Sequence, residues 1–282
     1  MQIMRELRVT VSTAEQAIEI ARQGALPVFS VQDMALSAAA SAAPEELPES
    51  IPFGVMLNQP IPESRLEQFR ETVDQVLGAG ALWIYFSDPA MLACCGEQER
   101  KRCIYRPETL LTSPQDASFW MDQGIGGVSV SPLLTRQETM HILSAVPHAE
   151  VTLHGHLLLS VSRRKLLSAW KTYYSIDLEP VRHRHLAIRE TTRQEDMPVY
   201  ETENGTMIFS DYVLESFEEC RDFAQADAGL IESSFLEPET LYETVGLYQR
   251  ILNGESCQEE IEDYRKQHPE CSKGYYDQKT IL

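Results

Sequence analysis

Short apolar runs alternate with stretches of helical periodicity along most of the chain. Leu7 to Val11 predicts a strand, and Ser12-Thr13-Ala14-Glu15 behind it has the S-x-x-E form of a capping box. Ala14, Ala17, Ile18 and Ala21 then recur at helical spacing, with Gly24 where a helix C-cap belongs. Pro27 to Val31 restarts a strand, and the Ala-rich "ALSAAASAAPEELPES" predicts a weak helix running into a loop. A third strand, Ile51 to Leu57, ends at Asn58, and Leu66, Phe69, Val73, Val76 and Leu77 mark the stripe of the next helix. "ALWIYF" predicts a fourth strand closed by Ser87-Asp88-Pro89, Arg102 to Tyr105 a fifth, and Gln115 to Gln123 a helix. "GGVSVS" predicts the sixth strand, Thr135 to Glu138 a second capping box, and Val151 to Leu153 a seventh strand ending on His154.

The alternation breaks once. In "MPVYETENGTMIFS", Asn204-Gly205 between two apolar runs signals a hairpin with a primed turn. A helix over about Tyr212 to Phe223, an eighth strand at Gly229 to Ile231 and a helix opened by Pro238 complete the pattern. Eight strands, nearly all followed by helices, predict a TIM-like (β/α)8 barrel rather than a doubly wound sheet. The domain reading is a barrel over residues 1–251, carrying a hairpin insertion at about 183–210, and a C-terminal extension over 252–282 packed on its outside.

A chain of 282 residues with 43% hydrophobic content suits one such unit. It has no apolar run long enough to span a membrane, and "MQIMRELRV" lacks the form of a secretory signal, which predicts a cytoplasmic protein. Six cysteines without a C-x-x-C or zinc spacing read as separate reduced thiols, so no metal site is predicted. Charge changes the picture more. Residues 160–193 hold eight Lys/Arg against three Asp/Glu, whereas residues 194–282 hold six against 21, in a chain of net charge -19. So acidic a chain is a poor non-specific DNA binder on its own, while its basic segment can still meet a phosphate or a small anion.

In a barrel, side chains leaving the C-terminal ends of the strands face the site. Asn58, Asp88, Ser131, His154 and Glu232 hold such positions, with Ser162 and Arg164 just beyond strand seven. His154, Asp88 and Glu232 are the candidate catalytic groups; Arg164, Ser162 and Asn58 are the candidates for binding substrate or an anion. Arg163, Arg164 and Lys165 at a helix start oppose the helix dipole, so an anion is expected between them and the helix amides. His154 and Arg164 are expected to converge on one polar hollow at the rim. No Walker loop, G-x-S-x-G, H-E-x-x-H or Rossmann fingerprint occurs.

The segments "VTLHGH", "SVSRRKLLSAW", "MPVYETENGTMIFS", "GLIESS", "YETVGLYQRIL" and "CSKGYYDQKTIL" resemble, in order and spacing, the collagenase-like peptidase family U32. They look most like its short members, such as the smaller of the paired proteins that support tRNA 5-hydroxyuridine formation in Gram-positive bacteria. The resemblance implies a barrel and, in the better understood members, oxygen-independent hydroxylation of RNA bases or a quinone precursor rather than peptide cleavage, with prephenate linked to the RNA reaction. Asn58, Asp88, Glu150, His154, Gly155, Ser162, Arg164, Glu201, Gly205 and Thr206 hold matching positions. Several family members bind a [4Fe-4S] cluster through four cysteines, but Lys165 stands at the first of those positions here and no cysteine follows until Cys220, which argues against a cluster. The resemblance therefore implies a divergent member that supports tRNA wobble-uridine hydroxylation beside a larger homologue, meeting tRNA through that complex and possessing no membrane or DNA partner. A small prephenate-like carboxylate is the ligand it suggests. A U32-type peptidase and a catalytically silent scaffold remain the alternatives.

Overall fold

The computed structural model describes residues 4–36, 41–48, 50–177, 186–192 and 194–278. Residues 183–185 and 193 of the expected hairpin insertion and residues 279–282 of the terminal motif lie outside them. Seven strands lead the order: β1 (Glu6–Val11), β2 (Leu26–Val31), β3 (Gly54–Leu57), β4 (Trp83–Phe86), β5 (Cys103–Tyr105), β6 (Gly127–Val130) and β7 (Ala149–Ser162). They are followed by β8 (Met197–Thr202), β9 (Gly205–Glu215) and β10 (Ala228–Ile231). The helices are α1 (Ala14–Arg22), α2 (Leu66–Gly78), α3 (Ala90–Cys94), α4 (Glu97–Arg100), α5 (Pro114–Met121), α6 (Arg136–Ala145), α7 (Leu166–Tyr174), α8 (Pro238–Leu252) and α9 (Gln258–Gln267).

Strands β1 to β7 pair in parallel, each with the next, and β10 pairs in parallel with both β1 and β7. The eight strands thus form a closed TIM-like barrel, the fold the periodicity predicts. Local signals set its helices. Thr13 caps α1 by accepting from the Gln16 amide at 3.1 Å, one residue later than the expected Ser12. Thr135 and Glu138 close a reciprocal box at the start of α6. Apolar side chains on the outer strand faces, Leu7, Val9 and Val55 among them, pack with Ile20, Phe69 and Val73 of the helices into the main core.

Two elements differ from expectation. The seventh strand does not stop at His154 but runs to Ser162, leaving the barrel to pair antiparallel with β9, which pairs with β8. Gly155 takes φ +117 at the exit, where an added Cβ would lie 2.4 Å from the Glu232 carbonyl oxygen, so only glycine lets the strand leave there. The hairpin forms, but Thr202 pairs Gly205, so its loop is Glu203 and Asn204, and the left-handed backbone falls on Gly205 (φ +131) rather than on a primed Asn-Gly turn. The expected helix from Tyr212 is strand through Glu215, followed by one 3-10 turn over Glu219–Arg221. Val213 and Leu214, expected on that helix, are buried in the continuing strand, and so short an apolar run fits helical and strand readings alike. The described part of the Ala-rich stretch is a two-residue pairing of Ser41 and Ala42 with β2 and a 3-10 turn at Pro44–Glu46, not a helix.

Beyond α8, α9 buries Ile261 and Tyr264, the Tyr264 hydroxyl lying 3.3 Å from His154 of β7, and Cys271–Ser272 pairs with β9. Arg265 holds buried Glu215 at 2.5 Å and Lys273 holds buried Glu219 at 2.6 Å. Among the described residues no helix is long and apolar enough to cross a membrane.

Candidate functional site

The barrel interior follows from the two-residue period of its strands, which sends Arg8 and Thr10, Glu150 and Thr152 inward while their neighbours join the outer core. Glu150 is the hub. One of its oxygens accepts from Tyr85 at 2.5 Å and Arg8 at 3.0 Å; the other accepts from Ser129 at 3.0 Å and lies 3.9 Å from Arg106. Val28, Met56, Ile104 and Leu230 pack around this network.

Arg106, the residue just after β5, carries the network to the C-terminal mouth. Its guanidinium donates to Ser129 at 3.1 Å, to Glu232 at 2.6 Å and to Glu108 at 3.3 Å. Asn58 donates to the same Glu108 oxygen at 2.5 Å and accepts from the Leu36 amide at 2.9 Å. Thr10 donates toward Glu232 at 3.2 Å and Ser233 at 3.1 Å. Burial opposes the Arg106 cation, yet Glu108, Glu232 and Glu150 more than offset it and hold it protonated above its ordinary value. Burial raises the Glu232 carboxyl above the usual range; Arg106 works against that shift and Glu108 adds to it. Glu108 sits at φ +54, a backbone region sparsely used by side-chain-bearing residues.

Behind these groups lies a cavity of about 20 Å³ lined by Thr10, Ser30, Arg106, Thr152, His156 and Glu232 among others, space for about one water. The Ser30 and Thr152 hydroxyls, both lining it, have no partner among the described residues, so the niche suits one polar atom. Outside it is a groove of about 320 Å³ lined by Tyr105, Leu110, Leu158 and Val161, with Asn58, Glu108 and Thr109 on both sides of the divide. Glu108 therefore forms part of the wall between niche and groove.

Of the sequence candidates, the structure brings together Asn58 and Glu232, joined through Glu108 and Arg106. It places the others elsewhere. Asp88 accepts from the amides of Ile61 at 2.8 Å and Ala90 at 2.9 Å, tying a loop to the start of α3. Ser131 accepts from the Leu133 amide at 3.3 Å and Ser162 from the Arg164 amide at 3.2 Å. His154 does not meet Arg164 in a hollow. It is fully buried on the outside of the barrel, its ring 5.8–5.9 Å from those of Phe217, Tyr248 and Tyr264, with Nε2 3.3 Å from the Tyr264 hydroxyl and Nδ1 unpartnered among the described residues. Burial first, then His268 and His156, pushes its pKa down to about 3, so the ring is neutral near pH 7.

The cause is a bulge. Leu230 pairs Thr152 but the next residue, Ile231, pairs His154, so Leu153 is an extra residue that reverses the alternation. His154 turns outward; His156, beyond the turn at Gly155, lines the niche, its Nδ1 2.8 Å from the Ser210 carbonyl and its pKa lowered chiefly by burial.

The helix amides at the start of α7, where a bound anion beside Arg164 was expected, are taken by a carboxylate of the chain itself. The buried Glu201 carboxylate on β8 accepts from the amides of Leu167 at 2.8 Å and Ser168 at 3.2 Å, from the Ser168 hydroxyl, and from Thr206 at 2.9 Å. It satisfies the orphan helix donors and the dipole together, leaving Arg164 exposed. A [4Fe-4S] cluster does not fit these residues: Lys165 pairs with Glu203, and among the described residues no three His, Cys, Asp or Glu side chains are grouped to hold a metal.

Sequence reasoning missed Arg106, Glu108 and Thr10 as site residues. Arg106 and Glu108 had a signal, since "YRPE" begins on the last residue of a strand, the position the barrel rule singles out.

A family model described as peptidase family U32 matches residues 12–280. No curated protein matches the sequence. Among solved structures, a U32 peptidase is similar at TM-score 0.49 and 12% identity, over 83% of this chain and 94% of that one. N-(5'-phosphoribosyl)anthranilate isomerase from Pyrococcus furiosus is similar at 0.47 and 10%, over 87% and 99%. Tryptophan synthase from M. tuberculosis is similar at 0.44 and 12%, over 87% and 92%.

Proposed function

The chain belongs to peptidase family U32, and on that premise we propose that it is an accessory member supporting 5-hydroxylation of the wobble uridine of tRNA, working in the cytoplasm beside a larger homologue. The observation that carries this reading is the closed mouth: a niche of about 20 Å³ admits one polar atom, not a peptide backbone or a nucleobase. The resemblance of its sequence motifs to those of short RNA-linked family members adds to it. So does the use to which the structure puts the expected reactive positions, with His154 sealed among aromatic rings and the start of α7 filled by Glu201. A small carboxylate of the prephenate kind exceeds the niche and would lie in the outer groove of about 320 Å³, where Asn58 lines the wall.

A peptidase reading has one observation in its favour. Glu232, with its raised pKa, lies beside the hydroxyl of Thr10, which in turn touches Ser233, giving an acid–base group next to two hydroxyls. Deleting the gene and measuring 5-hydroxylated wobble uridine by mass spectrometry separates the two. Loss of the modification, restored by the wild-type gene, is expected. Unchanged modification together with cleavage of gelatin peptides by the purified protein would overturn the accessory reading in favour of the peptidase.

A further inference from the structure

Helix α7 buries none of its nine residues. Among the described residues, every other helix of eight residues or more buries at least two, from Ala17 and Ile20 in α1 to Ile261 and Tyr264 in α9. Helices in proteins are stabilised mostly by an apolar face packed on the core. Here the hold is terminal: Glu201 and Thr206 bind the first amides, and Ser175 ends the helix in left-handed geometry. The side chains that would ordinarily pack are out in solvent, with Leu166 44%, Trp170 49%, Tyr174 59% and Tyr173 81% exposed. Such a cluster is a contact surface in want of a partner.

Charge decides which partner. The preceding turn carries Arg163 and Arg164, both exposed and without an ion pair among the described residues, and the segment 160–193 is the one strongly basic part of a chain of net charge -19. An apolar face alone would suit another protein. Protruding aromatic rings behind unpaired guanidinium groups suit a polyanion with flat faces. The acidic remainder does not forbid this, because charges more than about 8 Å away are largely screened at physiological ionic strength.

We propose that α7 and the turn before it form a contact surface for an unpaired stretch of RNA, with Arg163 and Arg164 on phosphates and Trp170 and Tyr173 stacking on bases. This rests on the function proposed above, with the chain itself touching the RNA where the sequence led us to expect contact only through the larger homologue.

The test uses the full chain, a fluorescein-labelled RNA hairpin with an unpaired loop, and the same strand annealed to its complement. Anisotropy titrations across a salt series should show binding that prefers the unpaired loop and weakens with salt. Trp170→Ala and Tyr173→Ala should each weaken it about five-fold or more. The Arg163→Ala, Arg164→Ala double variant should reduce the magnitude of the log–log salt slope by about 1.4. Because these residues are exposed, the variants should keep the wild-type Tm, which excludes misfolding as the cause. No RNA binding by the wild type, or variants that bind as it does, would overturn the inference. If the variants instead fail to co-purify with the larger homologue while gene deletion still abolishes the modification, the surface is a protein interface and only this inference falls. If RNA binding behaves as described but deletion leaves the modification unchanged, the functional reading falls and the surface stands.

Discussion

The barrel interior and the surface formed by helix α7 with the turn before it use the same kinds of residue, arginines and aromatic rings, in opposite ways. Inside, Arg8 and Arg106 are 5% exposed and every guanidinium has a carboxylate, with Glu150 serving both. On α7 the rings face water and Arg163 and Arg164 are unanswered among the described residues. A buried charge must be paired because desolvation is expensive, so the interior arginines are committed to the fold. An exposed charge carries no such obligation and stays available for a partner.

That contrast can be broken most severely at its hub. Glu150→Ala strips both buried arginines of their common partner and should destabilise the protein by about 3–5 kcal/mol, read as a lower urea midpoint at unchanged m-value. A loss under 1 kcal/mol would mean that the interior charges are solvated or re-paired.

The next effect is a dependence on pH. His154 binds a proton below about pH 6.5 when unfolded but only near pH 3 when folded, so acidification through that window favours the unfolded state. Its contribution is a loss of stability of ~1.4 kcal/mol per pH unit within the window. His154→Phe keeps the ring packing, so its stability should fall less steeply than that of wild type between pH 6 and 4, by roughly that amount per unit. Parallel acid limbs would show that His154 reaches water.

Removing the anion at α7 is milder. Glu201→Ala removes the partner of the Leu167 and Ser168 amides and of the Ser168 hydroxyl, and should lower stability by about 1–3 kcal/mol and speed amide exchange at Leu167 and Ser168. Glu201→Gln should restore part of both. The smallest change belongs to the exposed face, where Tyr173→Ala should stay within about 0.5 kcal/mol of wild type in urea unfolding. A larger loss would mean that α7 is packed after all and would erase the contrast.

Most of the strands and helices, and the capping box of α6, follow from local sequence signals, which is why "ALWIYF", "GGVSVS" and Thr135 to Glu138 were readable as they stand. Asn58 and Glu232 were legible for the same reason, being the first residues past their strands. Arg106 obeys the same rule, but its importance comes from Glu232, 126 positions away, and Glu150, 44 away.

By itself, then, the sequence determined the alternation of elements, the closed barrel they imply and the family, because each is written in spacings of a few residues. Only the tertiary structure decided which way His154 points, which carboxylate meets α7, and which arginine guards the mouth. The reason is that a single inserted residue at Leu153 inverts the facing of a strand, and no periodicity within that strand records the register of its neighbour.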